Sequence, residues 1–356
     1  NFNRLLAVPA CLEPGRWRVH SRSTGGPGPG TVSLSTFRVW KGKSKSMAAE
    51  TRVAYVSGEF RPETEATVSV YDLGVLYGQM VFEFSRTFGL KPFRMEHHLI
   101  RLFASMKYSG IDCGMTMEEM NDATNETLER NKHLLADGDD YGIWHNVSAG
   151  PMEFQAEASR DGFGPTVIIS VWPISLTKPV QWKLYDTGIN AIITAQRSVP
   201  ARLIDPKVKN RSRMHYRMAD LQAAKVREGA WALLTDEDGF ITEGSGANFM
   251  IVRDGELVSP EPRNTLRGVT RGAIIELAES QGIPFVEDNI DAYDVYNAAE
   301  AFYCSTSFAI MPVITVDGHQ LSDAVPGPVT QRLTDAFADD AGIDFVAQAK
   351  RLHGIA

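Results

Sequence analysis

The spacing of apolar residues in the first half of the chain follows two periods. Alternation of apolar and polar residues is typical of strands with one buried face, and it predicts strands at 66–72 (ATVSVYD), 80–88 (MVFEFSRTF), 141–148 and 165–173 (PTVIISVWP). Spacings of three and four residues predict helices at 95–111, through Leu99, Leu102, Phe103 and Met106, and at 116–134. Short strands with few helices indicate a small α+β unit.

The second half mixes strands and helices more evenly. A strand at 190–196 (NAIITAQ) precedes a helical run at 214–229 and two hairpin signals with Asp-Gly turns, DEDGF at 236–240 and VRDGEL at 252–257. GVTRGAIIELAESQGI predicts a helix that starts at Thr270 and ends at Gly282. The whole chain is therefore expected to be a two-domain protein of the α+β or α/β class.

Length and chain breakers predict where the domains lie. The 356 residues suit about two domains. Residues 1–46 are rich in Gly, Pro, Ser and Arg, so we expect a disordered extension, either added ahead of a natural start at Met47 or, less favoured, a transit peptide. Two prolines in WPISLTKP predict a linker at 172–180, between a small α+β domain (47–171) and a large domain (181–356).

Charge and cysteine content narrow the classes of partner. Residues 1–46 carry eight Lys or Arg against one Glu, so the remainder, with 28 basic and 43 acidic residues, has a net charge of -15. An acidic body argues against nucleic acid, and no apolar run reaches the roughly 20 residues that span a membrane. The widely spaced Cys11, Cys113 and Cys304 favour a cytoplasmic setting without disulfides, and the adjacent histidines at 97–98 lack metal-ligand spacing.

Four segments of the second half suggest ligand binding, and together they indicate one ligand. They are DPKVKNRSRMHY (205–216), ITEGSGANF (241–249), LRGVT (266–270) and YCSTSFAIMPV (303–313). Gly268 allows a tight turn into a helix whose first amides can bind phosphate, although an isolated turn of this kind is more often only a helix cap. Pyridoxal phosphate needs a lysine for its aldehyde, a helix start and an arginine for its phosphate, and a carboxylate for its ring nitrogen.

These segments, in this order, give the chain a family resemblance. Residues 53–341 resemble the class IV aminotransferases, the pyridoxal-phosphate enzymes of fold type IV. VYDLGVLYGQMVFEFSR is similar to the first-lobe signature of that family, and FRMEHHLIRLFASMK follows it at the usual interval. EGSGANFMIV resembles the glutamate motif, and LRGVTRGAIIELA resembles the phosphate-binding turn. The resemblance implies that fold, pyridoxal phosphate as cofactor and a homodimer.

Roles for individual residues follow from the resemblance. It implies that Lys209 condenses with the aldehyde of the cofactor and then moves the substrate proton, while Lys207 is a solvated neighbour and the alternative lysine. Glu243 is implied to pair with the pyridine nitrogen. The implied phosphate-binding residues are Arg101, Val269, Thr270 and Thr306.

The substrate side of the site both matches the family and departs from it. Tyr77 and Phe82 match pocket positions of branched-chain enzymes, which implies an apolar or aromatic pocket. The strand YGIWHNVSAG lacks the arginine of branched-chain enzymes and the Thr-Arg-Gly of D-amino-acid enzymes, so the substrate carboxylate needs another partner. The candidates are Arg86, Arg211 and Arg213. Branched-chain enzymes have, after the lysine, a tyrosine that approaches the phenolic oxygen of the cofactor. Tyr216 lies too far along KNRSRMHY to match this family tyrosine, and no role is assigned to it.

The function expected from this resemblance is transfer of an amino group between an amino acid, branched-chain or otherwise apolar, and a 2-oxo acid. One alternative is an aminodeoxychorismate lyase, suggested by the arginine four residues after Lys209. Another is a transaminase for D-amino acids or (R)-amines, because the sequence leaves the stereochemistry open. A binding protein without chemistry would have no need of Lys209, Glu243 and Arg101 together.

Overall fold

The computed structural model describes residues 51–158, 163–177, 181–322 and 324–353, and its first half contains a six-stranded sheet. The strands are β1 (Val53–Val56), β2 (Glu59–Pro62), β3 (Met80–Phe88), β4 (Lys91–Pro92), β5 (Tyr141–Ser148) and β6 (Thr166–Pro173). They run antiparallel in the order β2-β1-β6-β5-β3-β4. The extension predicted at 1–46 lies outside the described residues.

Two helices cover one face of this sheet. The helices of the first half are α1 (Leu73–Tyr77), α2 (Met95–Ser109) and α3 (Met117–Asn131), with 3-10 turns at Glu63–Glu65, Lys132–Leu134 and Glu153–Ala158. α3 starts with a capping box between Thr116 and Glu119. Leu102 of α2 and Met120 of α3 join Ile143 in a buried core. Because side chains alternate along a strand, Trp144 and Asn146 lie on the opposite face of β5.

The second sheet has nine strands and closes partly on itself. Two short helices precede it, α4 (Ile174–Thr177) and α5 (Leu184–Thr187), with a 3-10 turn at Gln181–Lys183. The strands are β7 (Ile189–Arg197), β8 (Trp231–Thr235), β9 (Ile241–Gly244), β10 (Asn248–Arg253), β11 (Glu256–Pro260), β12 (Phe285–Asp288), β13 (Glu300–Ser305), β14 (Ala309–Val316) and β15 (His319–Gln320). A bridge between Glu243 and Asn248 joins β9 to β10 and completes a ring β10-β13-β14-β7-β8-β9.

Helices pack around this second sheet. They are α6 (Met214–Val226), α7 (Val269–Ser280), α8 (Ala292–Tyr296), α9 (Pro328–Ala341) and α10 (Phe345–Leu352). α7 and α9 contribute Ile274, Leu333 and Phe337 to the large core, where they meet Phe249 and Phe302 of the central strands. Both parallel and antiparallel neighbours occur, and the predicted mixture of helices and sheet is confirmed.

Most predicted elements are confirmed, but the strand at 66–72 is wrong. That segment runs as loop and turn, with Val70 70% exposed and Asp72 buried. The Asp72 side chain accepts hydrogen bonds from the Gly74 N–H, Ser148 and Thr166. The buried side chain is thus a polar one, whereas the predicted strand would have buried the apolar residues of the segment. The described residues form one compact unit, and the domain bounds at 172–180 stay a prediction.

Candidate active site

The segment that carries the two lysines is fixed to the edge of β3. The Phe82 N–H donates to the Lys209 carbonyl over 2.9 Å, and the Arg211 N–H donates to the Met80 carbonyl over 2.8 Å. The Lys209 N–H donates to the Ser105 hydroxyl on α2 over 3.3 Å. These bonds on both sides of Lys209 fix the point from which its side chain extends.

The two lysines lie in different environments. The Lys207 ammonium pairs with Asp205 over 2.8 Å at the partly exposed end of the segment. Lys209 instead lines a cavity, with its Nζ 4.8 Å from the centre of the Phe82 ring. Burial, reinforced by the positive charges of Arg101 and Arg213, lowers the pKa of Lys209 to about 7. A lysine in that state is a far better nucleophile than an ordinary surface lysine.

Glu243 faces the same cavity from β9, and its carboxylate is held by three donors. The Tyr216 hydroxyl donates to Oε1 over 2.7 Å. The Leu266 N–H and the Asn248 side-chain amide donate to Oε2 over 3.0 and 3.1 Å. Burial raises the pKa of Glu243, and the bonds from Tyr216 and Leu266 oppose the rise. The arrangement suits a carboxylate that faces a protonated ring nitrogen.

The start of α7 forms another wall of the cavity. Gly268 is the N-cap, without a side-chain hydrogen bond, so the helix starts at Val269 and not at the predicted Thr270. A Cβ at position 268 would collide with the Asn248 amide oxygen, which explains the glycine. First-turn amides have no acceptor within their helix and favour anions. Val269, Thr270 and, from the turn after β13, Thr306 all line the cavity.

Arg101 reaches the cavity from α2 and is held by a buried acid. Its Nε and Nη2 donate to the two oxygens of Glu83 over 2.7 and 2.8 Å, and His98 Nδ1 lies 2.8 Å from the same carboxylate. Burial alone would raise the pKa of Glu83, but Arg101 and His98 hold it well below its usual range. Arg101 Nη1 donates to the Arg267 carbonyl, next to the start of α7.

Two further arginines lie around the Phe82 ring. The Arg211 guanidinium is 3.8 Å from the ring centre and donates twice to the Asn146 amide oxygen. The Arg213 guanidinium is 5.9 Å from the same ring, lines the cavity and donates to the Ser245 carbonyl. Burial and the charge of Arg213 lower the pKa of Arg211 to about 10. Among the described residues, no carboxylate forms a salt bridge with either guanidinium.

Two of the predicted substrate residues lie elsewhere. Arg86 is 4% exposed and donates to the Ser307 carbonyl over 3.1 Å and to Gln348 over 3.3 Å, so its guanidinium is committed inside the protein, away from the cavity lining. Tyr77, at the end of α1, is 69% exposed and is also absent from that lining. The structure thus places Arg86 and Tyr77 apart from the cavity lining, whereas Phe82, though not part of that lining, lies next to Lys209.

The sequence interpretation missed three residues that shape the site. Tyr216 and Asn248 both bond to Glu243, and Glu83 holds Arg101. Glu83 gave a signal, since it is an acid among the buried positions of an apolar strand and such an acid needs a cationic partner. Asn248 pairs with Glu243 across the GSGA turn. This glycine-rich turn between two apolar runs was a signal that the two residues lie side by side. Nothing in the sequence indicated the direction of Tyr216.

The donor set in this cavity fits pyridoxal phosphate. Lys209 offers an amine with a lowered pKa, and Glu243 offers a buried carboxylate on the same cavity. The start of α7, with Arg101 beside it, offers amides and a guanidinium for a phosphate.

Within the parts of the chain that the structure describes, no helix is long and apolar enough to cross a membrane, and no three His, Cys, Asp or Glu residues are grouped to hold a metal ion.

Comparison with known proteins agrees with this geometry. The family described as Amino-transferase class IV matches residues 80–316. A putative branched-chain-amino-acid aminotransferase of Methanocaldococcus jannaschii is 34% identical over 288 residues, which are 80% of this chain and 95% of that protein. A D-alanine aminotransferase of Staphylococcus haemolyticus is 28% identical over 291 residues, 80% of this chain and 95% of that protein.

A solved structure gives the same answer for the fold. The branched-chain amino acid aminotransferase of Thermobaculum terrenum, in its PLP-form, is 25% identical and superposes with a TM-score of 0.71, covering 85% of this chain and 96% of that one. The fold type IV architecture and the family predicted from the motifs are confirmed. This chain belongs to the class IV aminotransferases.

Proposed function

We propose that this aminotransferase uses pyridoxal 5'-phosphate to move an amino group from an amino acid, branched-chain or otherwise apolar, to a 2-oxo acid. The observation that carries the proposal is the convergence of Lys209, Glu243, Arg101 and the start of α7 on one cavity. The Thermobaculum terrenum relative in its PLP-form supports the choice of cofactor, and the Methanocaldococcus jannaschii relative supports the branched-chain donor.

Each group of the cofactor has a partner in this proposal. Lys209 holds the aldehyde, and Glu243 holds the protonated ring nitrogen. Arg101 binds the phosphate together with the amides of Val269 and Thr270 and the hydroxyl of Thr306. Since Glu83 already neutralises Arg101, the helix start supplies much of the attraction for the phosphate.

Lys209 also moves the substrate proton in this proposal. A group with a pKa of about 7 is divided between its charged and neutral forms at neutral pH, so Nζ can accept a proton from the substrate carbon and donate it again. Pyridoxal phosphate, when bound, supplies the electron sink that makes this carbon acidic. The backbone bonds on both sides of Lys209 fix the main chain from which the side chain reaches the cavity.

Arg213 and Arg211 are the proposed partners of the substrate carboxylates. These two partly buried guanidinium groups form no salt bridge within the described residues, so they leave positive charge beside Lys209 that an anionic substrate would neutralise. Arg213 lines the cavity and is the better candidate for the carboxylate common to donor and acceptor. Phe82, whose ring centre is 4.8 Å from Lys209 Nζ, is the proposed aromatic neighbour of an apolar substrate side chain.

We also infer a homodimer, because several large apolar residues are exposed together near Tyr77. Val70, Val75, Leu76 and Tyr77 are 70, 60, 43 and 69% exposed, so a second copy of the chain could cover them. Light scattering at micromolar concentration should give twice the chain mass, and a monomer would contradict the inference. The cytoplasmic location stays a prediction from the cysteine pattern.

Two alternatives belong to the same fold. The Staphylococcus haemolyticus relative, a D-alanine aminotransferase, favours D-amino acids as donors. (R)-amines are the other donors of this alternative. Arg213, four residues after Lys209 and in the cavity, keeps the aminodeoxychorismate lyase in consideration. The lyase needs no 2-oxo acid, so dependence on an amino acceptor separates it from both transaminases.

The visible absorption spectrum of the protein purified with pyridoxal phosphate tests the proposal. A yellow band that L-leucine bleaches is the expected result. Bleaching by D-alanine or by an (R)-amine alone would replace the proposed donor with the alternative. A band that no amine changes would favour the lyase, and the lack of any band with excess cofactor would contradict the proposed function.

A further inference from the structure

The oxygen atoms of Glu243 are held in different ways. Oε2 accepts from a backbone amide, that of Leu266, and from Asn248, whose own amide also donates to the Leu266 carbonyl over 2.9 Å. Oε1 accepts from the Tyr216 hydroxyl over 2.7 Å. Among the described residues, Tyr216 is the one donor to Oε1. The orientation of the carboxylate about its last bond is therefore set by the two donors to Oε2 together with this tyrosine.

Tyr216 is itself held firmly. It is the third residue of α6, and its ring packs on the small cluster that includes Ala219, Ala223 and Leu234. The Arg213 guanidinium lies 3.9 Å from the centre of the ring on the cavity side. Burial raises the pKa of Tyr216 well above its usual range, so the hydroxyl keeps its proton and acts as a donor.

The bond gives Tyr216 a role different from that of the family tyrosine, which approaches the phenolic oxygen of the cofactor. We infer that Tyr216 is a positioning residue that fixes the Glu243 carboxylate for the ring nitrogen of pyridoxal phosphate. The inference rests on the proposed function, because it concerns the same cavity. Without the hydroxyl, Glu243 would lose the donor on Oε1 while it stays buried, and its charged form would become less favourable.

The first test measures the affinity of three proteins for pyridoxal phosphate by fluorescence titration. These are wild type, Tyr216→Phe and the control Tyr185→Phe. Tyr185 also loses a buried hydroxyl bond, to the Phe308 carbonyl over 2.9 Å, but it does not line the cavity. Tyr216→Phe should bind about tenfold more weakly at pH 7, as expected for loss of one bond to a charged group, and Tyr185→Phe should match wild type.

A pH series separates positioning from a structural role. With the hydroxyl removed, Glu243 takes up a proton at higher pH than in wild type. The ratio of the wild-type affinity for pyridoxal phosphate to that of Tyr216→Phe should therefore increase as the pH is lowered from 8 to 6. The double variant Tyr216→Phe/Glu243→Gln should bind no more weakly than Glu243→Gln, because Tyr216 acts through Glu243.

The outcomes separate this inference from the proposed function. Affinity of Tyr216→Phe equal to wild type at every pH, or full additivity in the double variant, would overturn the inference alone. If wild type itself binds no pyridoxal phosphate, the proposed function fails, and the inference fails with it.

Discussion

Two groups of arginines on opposite faces of β3 differ in how their charge is neutralised. Behind the strand, Arg101 is paired with both oxygens of the fully buried Glu83, which His98 also contacts. In front of it, Arg211 and Arg213 lie around Phe82, and their acceptors are a neutral amide and a carbonyl. Arg101, which also lines the cavity, is thus paired with a carboxylate, whereas Arg211 and Arg213 have no carboxylate partner among the described residues.

The comparison separates a charge that must stay paired for the fold, that of Glu83, from charges that can bind a ligand, those of Arg211 and Arg213. A buried carboxylate costs stability unless it is paired, so Glu83 and Arg101 have to stay together whether or not a ligand binds. Arg101 and Arg213 both help to lower the pKa of Lys209, so the paired arginine also contributes to the reactivity of the amine. Arg211 and Arg213, which have no carboxylate partner among the described residues, can in addition attract an anionic substrate.

The largest expected effect belongs to Lys209 itself. Lys209→Ala should lower turnover by about a thousandfold or more, because both the nucleophile and the proton carrier are lost. Lys207→Ala is the matched control, since Lys207 pairs with Asp205 at the surface and should keep near wild-type turnover. Initial rates with the donor that bleaches the cofactor provide the measurement, and circular dichroism checks the fold. Substantial activity in Lys209→Ala would assign the chemistry to another residue.

Substitution of Glu83, behind β3, should mainly lower the stability of the fold. Glu83→Gln leaves the Arg101 guanidinium without its charged partner, so the free energy of unfolding should fall by about 3 kcal/mol in urea titrations. Glu126→Gln removes the exposed partner of Arg130, 2.7 Å away on α3, and should cost less than about 1 kcal/mol. Equal losses in the two variants would contradict the distinction between the two groups of arginines.

Substitution of Arg213 or Arg211, in front of β3, should weaken substrate binding. Arg213→Gln should raise KM for the amino donor and the 2-oxo acid by about tenfold or more, since a bond between charged groups is lost. Arg211→Gln should give a smaller increase, because Arg211 is held against Asn146 and does not line the cavity. The exposed Arg217 on α6 supplies the control, Arg217→Gln. An unchanged KM in both Arg211 and Arg213 variants would remove these arginines from the substrate site.

The remaining prediction concerns the pH dependence of stability without cofactor. The pKa of Lys209 is about 7 in the fold, against an ordinary value of 10.5, so between these values the unfolded chain binds the extra proton and the stability of the fold rises with pH. Lys209→Met should therefore melt above wild type near pH 7, and the difference should shrink toward pH 10. Melting curves measure it, with Lys207→Met as control. A difference that grows with pH would contradict a depressed pKa.

Local elements were largely predictable because they depend on neighbouring residues. The hairpin turn at Asp254 and Gly255 adopts positive φ angles, as the Asp-Gly signal indicates, and α3 begins at its capping box. The prediction of a strand at 66–72 failed because the segment is loop and turn: a strand would place Val70 and Asp72 on one face, yet Val70 is exposed and Asp72 is buried. Its polar Asp72 finds partners on β5 and β6, from distant parts of the chain.

The order of the motifs could be read from the sequence, and their resemblance to class IV aminotransferases was enough to predict the family and the candidates Lys209 and Glu243. Tertiary structure alone decided where long side chains end. Arg86 shares a strand with Phe82, yet it bonds to Ser307 and Gln348, more than 200 positions away. Tyr216 finds Glu243 27 positions away, across α6 and β9. A strand period fixes the face on which a side chain lies, and only the packed fold brings its partner to that face.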